Sequence, residues 1–250
     1  MATILVCDAT RLTDYATLAL FEGKSALDMA IDFGSSTDAE RRLLLASETL
    51  TFRLPEGWER FDREIWSTEE LLALLDEQTE EGDQILLVAG DEPLIQASVT
   101  QRMRELHSRF RTEYTFADGF PEGIAPEIVD AGIVSVLRSL NQERPEPPGR
   151  DLLFRLIQHD INAFDLETEI AAVDMRLLRA SLTCDNRRNY LLCKRLFSEG
   201  IREEETILEE LPRRRELLRT LPAYFNLQVT NRYPQQVSYE PFYELQKDEP

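Results

Sequence analysis

The sequence predicts an α/β fold on a mostly parallel sheet, and three observations carry that expectation. Gln84-Ile85-Leu86-Leu87-Val88-Ala89 is an apolar run between turn formers, the pattern of a strand buried on both faces. Two shorter runs, 3–7 and 42–46, have the same character, and segments of helical periodicity separate the three. A chain that alternates strand with helix lays its strands parallel, with helices on both faces.

Thr3 to Cys7 forms the first strand, and Asp8 to Thr13 leaves it as a loop. Ala26 to Phe33 has helical spacing, with Leu27, Met29, Ala30 and Phe33 apolar and Gly34 as a C-cap. Arg42 to Ala46 forms the second strand. Ser67-Thr68-Glu69-Glu70 is a capping box that opens a helix carrying Leu71, Leu72, Leu74 and Leu75, closed off by Gly82. Ser98-Val99-Thr100-Gln101 opens the next helix in the same way, with Val99, Met103, Leu106 and Phe110 on one face. His107 in that helix has no companion ligand and reads as a surface or interface side chain. Glu113 to Phe116 alternates as a strand, and Ala131 to Leu140 reads as a helix.

Pro145-Glu146-Pro147-Pro148-Gly149 then breaks the chain, since clustered prolines forbid helix and favour an extended segment. A boundary is expected there, with a first domain at 1–145, a helical region at 151–219 and a strand with its loop at 220–250. Leu152, Leu153, Leu156 and Ile157 begin the helical region, and Asn186 to Phe197 continues it up to Gly200. His159 reads as structural. Arg213, Arg214, Arg215 and Arg219 form the dense basic cluster of the chain, a solvated helix face or, less favoured, a seat for an anionic partner.

Composition sets further bounds. With 250 residues, 42% hydrophobic and 30% charged, the chain is expected to be soluble and globular. No apolar run approaches the roughly 18 residues that cross a bilayer, so no membrane partner is expected. The N-terminus lacks the pattern of a signal peptide. The formal charge of −19 opposes a nucleic-acid backbone. Cys7, Cys184 and Cys193 give no disulfide framework and read as buried small hydrophobes, which fits a cytoplasmic location.

The central run ends in Gly90-Asp91-Glu92-Pro93, which places two carboxylates where the strand leaves the sheet. Ligands of open α/β sheets bind outside the carboxyl ends of the strands. A carboxylate beside glycine suits a hard cation carrying a nucleotide phosphate, although Asp91 could equally cap an acidic turn. Gly90-Asp91-Glu92-Pro93-Leu94-Ile95 resembles the motif of the cytidylyltransferases that activate Kdo and related sugars. The resemblance implies a GT-A-like nucleotidyltransferase fold, with Asp91 as ligand of the magnesium that CTP brings. Phe120 to Val129 resembles the segment of spore-coat-type cytidylyltransferases that shapes the sugar side of the pocket. Gly123 and Glu127 fall on its Gly and Glu, though Glu127 could also be a charge near a helix start.

By the same resemblance Arg11 and the Gly23-Lys24 pair would face the triphosphate. The loop after the first strand nevertheless contains no glycine, and the position of the family's catalytic lysine falls near Tyr15 or Ala16. Losing one preorganised donor to developing phosphate charge costs about 3 kcal/mol, and several are missing. The phosphate loop is therefore expected to be degraded.

Leu221 to Phe242 resembles the entry to a radical SAM barrel, where a strand runs into a C-x3-C-x2-C loop. Tyr233, Val237 and Glu240 stand at the three cysteine positions, and none of them replaces a cluster thiolate. The family's [4Fe–4S] cluster and S-adenosylmethionine are not expected to bind, and the ten residues after Glu240 are too few for a barrel. Head, helical middle and this entry together resemble the N-terminal part of the spiro-SPASM proteins. The expectation is a fragment or degenerate member of that family, its cytidylyltransferase-like domain serving as a non-catalytic module for CTP or a nucleotide sugar. An active magnesium-dependent cytidylyltransferase acting on a sugar or sugar acid is the first rival. A scaffold engaging a protein partner through 151–250 is the second.

Overall fold

β1 (Thr3–Ala9) and β4 (Gln84–Ala89) lie side by side at the centre of a seven-stranded sheet in the computed structural model, which describes residues 2–213. β2 (Arg41–Ser47) and β3 (Glu59–Arg63) extend the sheet beyond β1. β6 (Glu127–Asp130), β5 (Tyr114–Asp118) and β7 (Leu166–Ile170) extend it beyond β4, giving the order β3-β2-β1-β4-β6-β5-β7. β6 runs antiparallel to both of its neighbours, and every other pairing is parallel. The sheet is thus mixed and mostly parallel, as the alternation of runs implied.

Strand period sorts the apolar side chains onto two faces. Ile4, Val6, Leu43, Leu45 and Ile85 face α3 (Thr68–Gln78), α5 (Val134–Glu143) and α6 (Leu152–Ile157) in one core. Leu5, Cys7, Leu44, Leu86 and Val88 face α2 (Ala26–Ser36) and α4 (Ala97–Phe110) in the other. A third cluster joins α7 (Arg187–Ser198) and α8 (Glu204–Arg213) to the segment around the short α1 (Asp14–Thr17).

Capping decides where the first helices begin. Ser67 and Glu70 form the expected box, and Ser25 with Asp28 forms a second that the periodicity did not reveal. At α4 the expected box is absent. Its N-cap is Gln96, and the Ser98 hydroxyl donates instead to Glu204 of α8 at 2.6 Å. Gly34 does not end α2; it lies inside the helix, where a Cβ would stand 2.7 Å from the Trp58 indole. His107 is buried rather than at the surface, with Nδ1 3.0 Å from Thr115 Oγ1, and burial pushes its pKa down, so the ring stays neutral.

The region expected to be helical after 151 contains β7, which enters the sheet beside β5, while α6 packs into the same core as β1. Cys7, Cys184 and Cys193 are buried free thiols. Among the described residues no helix is long and apolar enough to cross a membrane. The strand and loop expected at 220–250, with Tyr233, Val237 and Glu240, and the arginines at 214, 215 and 219 lie outside the described residues.

Ser67→Ala is expected to cost about 1 kcal/mol by removing the cap, and Leu86→Ala about 2–5 kcal/mol by opening a cavity at the sheet centre. Urea denaturation of the two variants checks both values and their order.

Candidate functional site

The carboxyl ends of the parallel strands form one mouth. β1 and β4 end together, with the Gly90 amide donating to the Asp8 carbonyl at 2.8 Å. Gly90 makes that approach possible, since a Cβ there would meet Leu27 Cδ1 at 3.0 Å and Ala9 Cβ at 3.2 Å. Because β6 is antiparallel, it begins at the end where β5 stops. The connection between them therefore crosses the same mouth and carries Glu122 there.

Asp91 and Glu92 are buried, each with 6% of its surface exposed, and Arg150 lies against them. Its Nη2 reaches both Asp91 oxygens at 2.7 Å, Nη1 pairs with Glu92, and Nε stands 3.0 Å from Glu122 Oε1. All three guanidinium nitrogens thus face carboxylates, the geometry for which the arginine fork is suited. Burial opposes the charge on Arg150, but Asp91, Glu92 and Glu122 outweigh it and raise the pKa well above the ordinary value. Three carboxylates around one cation would leave an excess of two negative charges. Burial pushes Glu92 up to about 8 against the opposing pull of Arg150, and the Asp91 charge adds to the rise, so Glu92 holds a proton at neutral pH.

Arg150 arrives on the proline-rich segment, which is fastened across the mouth. The Glu146 amide donates to Asn141 Oδ1 at 3.0 Å, and four carbonyls of the segment accept side-chain donors. Thr68 Oγ1 donates to Glu146 O at 2.7 Å, Arg155 to Pro147 O and Arg150 O at 2.6 Å each, and Arg11 to Pro148 O. Glu146 also holds Arg155 at 3.2 Å and His159 at 2.8 Å. The stretch expected to separate two domains is a strap.

The segment after β1, where the resemblance places the phosphate loop and which was expected to be degraded, is tied to α7. The Tyr15 and Tyr190 rings lie 5.7 Å apart, Phe21 and Phe197 stack at 5.6 Å, and Tyr190 Oη donates to Ala19 O at 2.8 Å. Thr13 Oγ1 donates to the Cys184 carbonyl at 3.2 Å, and the Cys184 amide donates to the Asp91 carbonyl at 2.7 Å.

Of the residues expected at the site, Asp91 stands at the mouth and Arg11 reaches it, but Arg11 holds the strap. Lys24 is exposed and pairs with Asp32 of α2 at 2.5 Å. Gly123 has φ of +85°, and a Cβ there would stand 2.8 Å from the Leu182 carbonyl, so glycine lets this connection pack against 182–183. Glu127 opens β6 opposite Leu87 of β4, and it is Glu122 whose carboxylate pairs with Arg150. Sequence reasoning missed Glu122 and Arg150. The available signal was an arginine directly after a stiff proline segment, together with a charged neighbour of Gly123.

The arrangement does not fit a divalent cation on Asp91. Both of its oxygens are taken by Arg150, and among the described residues no three Asp, Glu, His or Cys side chains are gathered to hold a metal ion. A divalent ion about 4 Å from a guanidinium would be repelled by about 8 kcal/mol at an effective dielectric constant of about 20. A hollow of about 370 Å³ lined by Asp32, Phe33, Pro93, Phe197 and Arg202 opens beside the mouth, and neither Asp91 nor Arg150 lines it.

No protein-family profile matches the chain. Two uncharacterized proteins of Treponema pallidum (strain Nichols) match in part. One is 39% identical over 89 residues, which is 36% of this chain and 24% of that protein. The other is 31% identical over 64 residues, 26% of this chain and 29% of that protein. The matched stretches thus span less than a third of either curated relative. Solved structures match more widely. A cytidylyltransferase from Leptospira borgpetersenii superposes with a TM-score of 0.66 at 16% identity, over 89% of this chain and 98% of that one.

The fold is a cytidylyltransferase fold.

The 2-C-methyl-D-erythritol 4-phosphate cytidylyltransferase of Thermus thermophilus has the same cytidylyltransferase fold, with a TM-score of 0.57 at 12% identity over 78% of this chain and 98% of that one. Rv0371c of Mycobacterium tuberculosis H37Rv, solved in complex with manganese, gives a TM-score of 0.55 at 12% identity over 78% of this chain and 99% of that one. Identities this low establish shared architecture.

The raised Glu92 pKa has a sign. The folded protein retains a proton that the unfolded chain releases near the ordinary carboxyl value, so the associated stability is complete below that value and is lost as pH rises through about 8. The melting temperature is expected to fall from about pH 4.5 to about pH 8 and to level off above it, and Glu92→Gln, which mimics the protonated carboxyl, is expected to flatten that fall. Thermal melts of both proteins across the range check it; an equal slope in the variant refutes the assignment to Glu92.

Proposed function

We propose that this chain carries a cytidylyltransferase-fold domain that has given up metal-dependent nucleotidyl transfer and serves as a non-catalytic binding module. We further propose that it is a fragment or degenerate relative of the spiro-SPASM proteins, with CTP or a nucleotide sugar as the ligand class and the cytoplasm as its location. The observation that carries the reading is the Arg150–Asp91 pair, in which Nη2 takes both Asp91 oxygens at the position where the motif would hold magnesium. The diversion of Arg11 to the strap and of Lys24 to Asp32 supports it, as does the glycine-free segment packed on α7. Each lost donor to developing phosphate charge accounts for about two to three orders of magnitude in rate. Their combined loss supports a module without efficient transfer. The spiro-SPASM part rests on the sequence resemblances at 84–95, 119–129 and 221–242.

A pyrophosphate-release screen with CTP, magnesium or manganese and a panel of sugar acids is expected to give no rate above that of Asp91→Ala. Release that disappears in Asp91→Ala would instead establish an active cytidylyltransferase. Calorimetry with CTP is expected to give the same heat with and without the metal. Anaerobic reconstitution is expected to leave no stoichiometric iron or labile sulfide.

A further inference from the structure

The geometry points to Arg150 as the chain's own replacement for a divalent cation, a tethered positive charge that the 145–151 strap delivers to Asp91, Glu92 and Glu122 and that keeps metal ions out. The inference rests on the reading that this mouth no longer performs metal-dependent transfer, and it adds the reason.

Three observations carry it. First, Nη2 engages both Asp91 oxygens while Nη1 and Nε face Glu92 and Glu122, so one guanidinium holds carboxylates from two stretches of the chain. Second, the delivering segment is built for placement. Three prolines fix φ over most of 145–148, and Asp151 turns the chain at φ of +58° directly after Arg150. Carbonyls at 146, 147, 148 and 150 are each held by a side-chain donor from Thr68, Arg155 or Arg11. A loop that merely crossed the surface would leave those carbonyls to water. Third, Arg11, the cation best placed on the loop after β1, holds the strap. The residue that would face triphosphate thus stabilises the element that fills the mouth.

The test is manganese binding by the folded protein, read from the loss of the free-ion paramagnetic signal and from the melting temperature with manganese or a chelator. Wild type is expected to take up no manganese and to melt identically in both. Arg150→Ala and Arg150→Gln are expected to melt lower, to bind manganese at least tenfold more tightly than wild type and to melt higher when it is added. Addition of Asp91→Asn to either variant is expected to remove that binding. Arg150→Lys keeps the charge without the fork, so it is expected to melt lower while still excluding manganese. Wild type binding manganese as tightly as Arg150→Ala overturns the inference, as does failure of both Arg150→Ala and Arg150→Gln to take it up, folded or not. A silent pyrophosphate screen with metal-blind Arg150 variants removes only this inference, whereas Asp91-dependent pyrophosphate release by wild type removes the functional reading as well.

Discussion

A guanidinium withdrawn from water has to be matched by negative charge, and Arg150 satisfies that requirement with the carboxylates at the carboxyl end of the sheet. Breaking one partner of a buried pair costs about 3–5 kcal/mol, because it strands the other. The Arg150–Asp91 contact is therefore a constraint on everything around it. The strap has to cross the mouth where Asp91 stands. Glu122 has to be brought over from between β5 and β6, and the adjoining Gly123 has to adopt its positive φ against Leu182. What would be an open ligand end in an α/β sheet becomes part of the protein interior.

The segment after β1 is consistent with that constraint. A phosphate-gripping loop exposes backbone N–H groups in a concave arrangement and needs glycine to do so. Here Tyr15 and Phe21 face Tyr190 and Phe197, and burial of these rings fixes the segment against α7. Arg202 over the Phe21 ring, 4.0 Å from its centroid, adds a cation–π contact to the same seam. An apolar seam and an anion cradle cannot occupy one stretch, and the residues at 15 and 21 decide for the seam.

How much of this was legible depends on where each signal resides. The central strands were legible because they are buried on both faces and have to be continuously apolar. β3 and β7 were not, because Glu59-Arg60-Phe61-Asp62-Arg63 and Leu166-Glu167-Thr168-Glu169-Ile170 lie at the two ends of the sheet, where charged side chains protect an exposed edge. The Ser67 box was legible as a local pattern. The same pattern at Ser98 misled, because a partner 106 residues away takes the hydroxyl. At the site, Asp91 was legible from its neighbours. Arg150 lies 59 residues from Asp91, and proline-rich sequence looks the same whether it spans solvent or is pinned to a surface.

Prolines donate no backbone N–H, so apart from the Glu146 amide on Asn141 this strap is fastened by donors that reach its carbonyls. Arginine meets that need better than lysine, since its fork presents several donors in fixed geometry. Of the 28 basic residues only Lys24, Lys194 and Lys247 are lysines, which leaves 28 − 3 = 25 arginines in a chain of formal charge −19. Arg155 holds two carbonyls and Glu146 at once, and Arg150 holds three carboxylates. The same preference that fastens the strap therefore also supplies the charge that fills the mouth. A single substitution at Arg11 or Arg155 would loosen the delivery, while one at Arg150 would change what is delivered. Closure of the mouth thus has two separable parts, a scaffold of forks gripping carbonyls and one fork gripping carboxylates, and only the second sets the charge on which a ligand would have to act.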